Sequence, residues 1–184
     1  MFKIFSLILI FLLHFIPSNA EVINDIKILN NDRISKETIL VFSDIKLGKD
    51  YSENDLNKII KDLYSTDFFS EISLEIKDNV LFINVVENQI IQEIIIEGIK
   101  KKEMVEILKE NILSKDKNPY VENNARIDTN IIKKILKNSG YYFSEVNQKI
   151  LNNDNDTINL IYEINIGEKA YIKSIQFLGE KVYK

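Results

Sequence analysis

The chain has no cysteine, no tryptophan, one histidine, two prolines and five glycines among its 184 residues. Without cysteine there is no disulfide framework, no thiolate nucleophile and no Cys-ligated zinc. The one imidazole, His14, falls in a segment that a mature protein does not keep, so triads and HExxH metal sites are excluded. A basic surplus is missing too. Lys+Arg number 24 against 28 Asp+Glu, a net charge of −4, whereas a general nucleic-acid binder presents a basic face. No pair of carboxylates stands out as a general acid and base, and no metal-ligand cluster is visible. The expectation is a protein without catalysis and without a cofactor. What is present is 45% hydrophobic residues, enough to bury a core, in a length that suits one ordinary domain or two small ones.

Residues 1–20 carry one basic residue, Lys3, and an apolar run from Ile4 to Ile16, then small residues at Ser18 and Ala20. This is the three-part pattern of a secretory signal, with cleavage expected between Ala20 and Glu21. The run is shorter than the roughly 20 residues of a spanning helix. The mature chain is expected in an exported compartment.

An internal repeat organises the rest. Ile23 to Asn30, Ile91 to Gly98 and Ile172 to Gly179 share the pattern Ile-x-x-Ile-x-(Ile/Phe)-x-(Asn/Gly). Each reads as a strand ending at a residue that tolerates positive φ. Ile59 to Ile72 matches Ile131 to Val146 with two residues inserted before the aromatic pair. In the first copy, Ser35 is placed to cap a short helix through Ile39 to Phe42. Ser52 to Asp55 resembles a capping box, and Leu56, Ile59, Ile60 and Leu63 share one helical face. Ile72, Leu74 and Ile76 then alternate with polar residues, Asp78-Asn79 forms a tight turn, and Val80 to Val86 returns. The second copy repeats the order: a strand from Ile91, helices at Met104–Ile112 and about Asn124–Asn138, a stop at Ser139-Gly140, and Tyr142–Leu151 paired with Thr157–Ile166. The unit is β-α-α-β-β, a three-stranded sheet with both helices on one face.

Four stretches resemble the POTRA domains, the polypeptide-transport-associated repeats, and among them those of the BamA family of outer-membrane protein assembly factors. They are Leu29 to Ser35, Tyr51 to Ser70, Gly140 to Phe143, and Ile166 to Val182. Asn30 stands where the family prefers glycine, and Gln89 where it prefers proline. The resemblance implies an α+β fold of tandem POTRA units: residues 21–89, residues 90–167, and the first strand of a truncated third unit in residues 168–184. It implies the periplasmic face of the outer membrane as the location, with membrane contact only through a barrel that this sequence does not contain. Unfolded outer-membrane β-barrel proteins are the implied clients. Periplasmic chaperones and Bam-complex lipoproteins are the implied partners of the full-length protein. The alternative is the POTRA region of a two-partner-secretion-type transporter that docks a secreted substrate.

A three-stranded sheet has two borders of unpaired N–H and C=O groups. In such proteins the resemblance implies that the first strand of the hairpin pairs with a client. The candidate residues are Phe69, Ser70, Ile72, Leu74 and Ile76 in the first copy, and Tyr142, Phe143, Val146, Gln148 and Ile150 in the second. Outward-pointing Ser73, Glu75, Lys77, Glu145, Asn147 and Lys149 would restrain aggregation at those borders. The alternative is strands that only close their own sheets. Phe68, Phe69, Tyr141, Tyr142 and Phe143 suit either a client groove or the core. Lys100-Lys101-Lys102 suits an acidic partner or a solvated turn, and Asn155-Asp156-Thr157 has the glycosylation pattern in a hairpin turn.

Overall fold

A computed structural model of the chain describes residues 21–176 and 178–179. The expected signal segment, with His14 and Ala20, lies outside them. The described chain divides between Glu87 and Asn88 into two compact units, each with its own core.

Unit 1 opens with a two-residue strand, β1 (Glu21–Val22), then β2 (Asp25–Leu29), α1 (Lys36–Ser43), β3 (Asp50–Tyr51), α2 (Glu53–Tyr64), β4 (Phe69–Lys77) and β5 (Val80–Glu87). The first strand is therefore interrupted where the repeat pattern predicts one run from Ile23. Ile23 is fully buried between the two pieces, its N–H bonded to the Lys49 carbonyl at 3.1 Å and its carbonyl to the Gly48 N–H at 2.7 Å. Those bonds to the interhelix loop turn the chain before β2 joins its sheet.

Local chemistry sets the helices. The Ser35 hydroxyl caps α1 at the Thr38 N–H, and Ser52 and Asp55 form a reciprocal capping box on α2. Ile59 and Leu63 bury the apolar face of α2, each worth about 1.5–3 kcal/mol. Asp78 and Asn79 both take positive φ, which matches the twist of a two-residue hairpin and brings Lys77 opposite Val80. The main sheet runs β2-β5-β4, with β2 parallel and β4 antiparallel to β5.

Unit 2 repeats the order with β6 (Ile90–Glu97), α3 (Lys102–Asn111), α4 (Glu122–Asn138), β7 (Glu145–Asn152) and β8 (Thr157–Asn165). Its sheet runs β6-β8-β7, parallel then antiparallel. Helix α4 stops in a Schellman motif. The Gly140 N–H bonds to Lys137 O at 3.0 Å and the Tyr141 N–H to Leu136 O at 2.9 Å, with Gly140 at φ 95°. A buried carboxylate ties this unit together. Asp128 of α4 accepts from the N–H groups of Leu113 (2.5 Å) and Ser114 (3.0 Å) and from the Tyr162 hydroxyl (2.9 Å).

The hairpin of unit 2 begins three residues later than the alternation predicts. Tyr142 and Phe143 lie in a turn that the Ser144 hydroxyl closes on the Tyr141 carbonyl at 3.1 Å. Pairing starts at Glu145 because its partner, Asn165, ends β8. Residues 166–176 carry no strand, so the one expected from Ile172 is not formed among the described residues. In both units the first strand exists by pairing with the last strand of its own sheet, and this segment pairs with none.

Candidate strand-binding borders

The first and last members of each sheet order leave different borders. At the first-strand border, the loop between the helices folds over the backbone. In unit 2 the Ile91 N–H bonds to Asn118 O at 2.9 Å, Lys117 N–H to Ile91 O at 2.7 Å, and Tyr120 N–H to Gln89 O at 2.8 Å. Farther along, the Asp116 carboxylate takes the Ile94 N–H at 2.7 Å. Unit 1 does the same with other groups. β1 pairs with β3, the Asp25 carboxylate takes the Ile26 N–H at 2.8 Å, and the Lys36 ammonium donates to Ile26 O at 2.9 Å. A strand approaching Ile26 of β2, or Ile91 and the Ile94 N–H of β6, meets groups already bonded.

The opposite border is open. The turn at Asp78-Asn79 closes on the hydrogen-bonded pair Lys77–Val80, so odd-numbered residues of β4 bond to β5. Ile72, Leu74 and Ile76 then direct N–H and C=O groups away from the sheet. The Ile72 N–H confirms the direction by reaching outward to the Tyr64 hydroxyl of α2 at 3.2 Å. In unit 2 the Asn153 N–H bonds to Thr157 O at 2.9 Å, which extends the ladder and makes odd-numbered residues the bonded ones. Val146, Gln148 and Ile150 therefore turn their backbone groups outward, and no side chain among the described residues caps them. The buried pair Ile132 and Leu136 of α4 matches Ile59 and Leu63 of α2, so Lys137 stands where Tyr64 does, and it offers no hydroxyl. Outward groups recur every second residue, about 6.8 Å apart.

Ten residues were expected at these borders, and the structure sorts them. Ile72, Leu74, Ile76, Val146, Gln148 and Ile150 lie on the open strands with outward backbones. Phe69 starts β4 but is buried in the core, edge-on to Phe68. Ser70 is the extra residue of a bulge between Phe69 and Glu71, its hydroxyl bonded to Val86 O at 3.2 Å. Tyr142 and Phe143 precede β7 and are exposed, whereas Tyr141 packs on the unit 2 core. Ser73, Glu75, Lys77, Glu145, Asn147 and Lys149 are all exposed. The Gln148 amide oxygen is buried without a hydrogen-bond partner, an unused acceptor beside the open border. The capping roles of Tyr64, Lys36 and Asp116 had no sequence signal, because each acts on a strand 8 to 22 residues away.

Among the described residues there is no cluster of His, Asp and Glu placed to hold a metal ion, and no helix is long and apolar enough to cross a membrane. Burial first, then the Asp128 charge, push the Tyr162 phenol above its usual range. That group is enclosed and belongs to the core.

Comparison with known proteins agrees with this architecture. The family model described as POTRA, surface antigen variable number repeat, matches residues 89–167. Unit 2 has the POTRA fold. Unit 1 has the same POTRA strand and helix order, so the fold is a tandem of two. Two curated relatives, both outer membrane protein assembly factor BamA, match most of the chain. The protein of Neorickettsia risticii is 23% identical over 89% of this chain, and that of Neisseria meningitidis serogroup B is 26% identical over 88%. The chain spans only about a fifth of each relative, 22% and 20%. The solved POTRA1-2 structure of the periplasmic domain of Omp85 from Anabaena superposes with a TM-score of 0.50 at 13% identity, covering 82% of this chain and 98% of that one.

Proposed function

We propose that the tandem POTRA units are the periplasmic arm of an outer-membrane protein assembly factor, and that they receive unfolded β-barrel segments on β4 and β7. The observation that carries this reading is the unequal treatment of the sheet borders. One border of each unit is bonded by the chain itself at Ile26 or at Ile91 and Ile94, and the other presents backbone donors and acceptors at strand spacing. Strand addition uses main-chain hydrogen bonds, which are almost blind to sequence, so clients of many sequences can bind. Each bond contributes about 0.5–1.5 kcal/mol net, so one border holds a client weakly. Two borders on one chain raise the effective concentration and still allow release. The role needs no chemistry on the client and no cofactor. Periplasmic chaperones would deliver the client, and lipoproteins of the assembly complex would act through the full-length protein.

Proline substitution tests the reading. Leu74→Pro and Ile150→Pro each remove an outward N–H without removing a bond to the neighbouring strand, and proline is tolerated on that side of an edge strand. Both variants should keep the circular dichroism of the parent and lose most of their retention of an extended barrel-derived peptide. Ser73→Pro, which removes a bond to β5, should destabilise unit 1 instead. A folded Leu74→Pro, Ile150→Pro double variant with undiminished retention contradicts the proposal.

A further inference from the structure

We infer that a groove in unit 2 docks an acidic segment of another polypeptide, seating one apolar side chain beside a carboxylate that Lys100 and Lys101 hold. The groove has a volume of about 260 Å³, with Ile99, Met104, Tyr141 and Ile166 as its apolar lining and the two lysines among its walls. This volume falls just under the range of sites that enclose a small drug-sized molecule. It suits a side chain or two presented by a peptide.

The internal repeat explains why a carboxylate belongs there. Val85 pairs with Ile72 as Ile164 pairs with Val146, so two residues further on Glu87 and Ile166 are equivalent. Glu87 folds its own carboxylate back over the loop that precedes α1. It accepts from the N–H of Arg33 at 3.0 Å, the N–H of Ile34 at 2.8 Å and the Nε of Arg33 at 3.0 Å, with its side chain 6% exposed. Counting back from the helix starts at Lys36 and Lys102, Ile99 and Lys100 replace Arg33 and Ile34. Unit 2 therefore has a loop two residues shorter, 98–101 against 30–35, puts an isoleucine where the carboxylate was, and carries two exposed lysines in the loop. Lys100, Lys101 and Lys102 are exposed and form no ion pair among the described residues. The two lysines on the groove complement an external acid, and the apolar floor selects the residue next to it.

The test is an amide NMR titration of the full chain with a capped hexapeptide, Gly-Ser-Leu-Glu-Ser-Gly. It is independent of the strand borders. Saturable shifts are expected at Gly98, Ile99, Met104 and Tyr141, and affinity should fall about tenfold when the peptide glutamate becomes glutamine, the loss of a charge-assisted contact. Lys100→Gln with Lys101→Gln should weaken binding equally. Ile166→Glu should supply the carboxylate from within, fill the site and abolish binding in a folded chain. If that variant does not fold, the lysine pair decides. Equal binding of the glutamine peptide, full binding by the lysine double variant, or shifts confined to other surfaces overturns the proposal. Decanoate shifting the same amides at lower concentration than the peptide also overturns it, by assigning the groove to a lipid.

Discussion

Asp128 is fully buried and satisfies two loop N–H groups and one phenol. Asp128→Ala leaves those donors unpaired and should cost about 3 kcal/mol, read from the denaturant midpoint. The phenol it faces has its own pH signature. The folded pKa of Tyr162 lies above the ordinary value of 10.0 because of burial and the Asp128 charge. Its contribution is fully present below pH 10 and is lost as pH rises past that value, since only the unfolded chain releases the proton there. Phenolate absorbance from Tyr162 should therefore appear together with unfolding, and a Tyr162→Phe chain should lose that part of its alkaline sensitivity. At the repeated turn, Asn30 has φ 62° and Gly98 φ 88°. Asn30→Gly should be tolerated to within about 1 kcal/mol, the left-handed cost relieved and one exposed bond to Asn84 lost. Gly98→Ala should cost more, because a Cβ there collides with the Ile164 carbonyl. The turn was legible from the repeat. The Asp128 cluster was not, since its partners are 14 to 34 residues away and nothing local separates it from other acids.

Secondary-structure elements were legible where one local signal decided them. Ser35, Ser52 with Asp55, and Gly140 each marked a helix end, and Asp78-Asn79 marked a hairpin. Boundaries set by a distant partner were not. β7 begins at Glu145 because β8 ends opposite it, and residues 172–176 show a period-2 pattern that pairs with no neighbour and forms no strand. The same logic separates the two open borders. Tyr64 occupies the Ile72 N–H, and unit 2 has no counterpart. Tyr64→Phe should free that donor, speed hydrogen exchange at Ile72 and strengthen strand binding on β4 up to several-fold, with β7 unchanged. Equal exchange in parent and variant contradicts the capping role.

On the scale of the molecule, the topology followed from a repeat of apolar pattern, and the open borders followed from topology. Which border is blocked depended on tertiary hydrogen bonds from Asp116, Lys36 and the interhelix loops, with one local bond from Asp25 to the next N–H. In the proposed function this inequality sets the side from which another backbone is accepted. The decisive measurement is residue-resolved amide exchange of the chain, alone and saturated with an unfolded outer-membrane β-barrel segment. Slowed exchange at Leu74, Ile76, Val146, Gln148 and Ile150, with Ile26 and Ile94 unchanged, is the predicted result. Protection at Ile26 and Ile94 instead, or no change at any of these amides under saturating client, would contradict it.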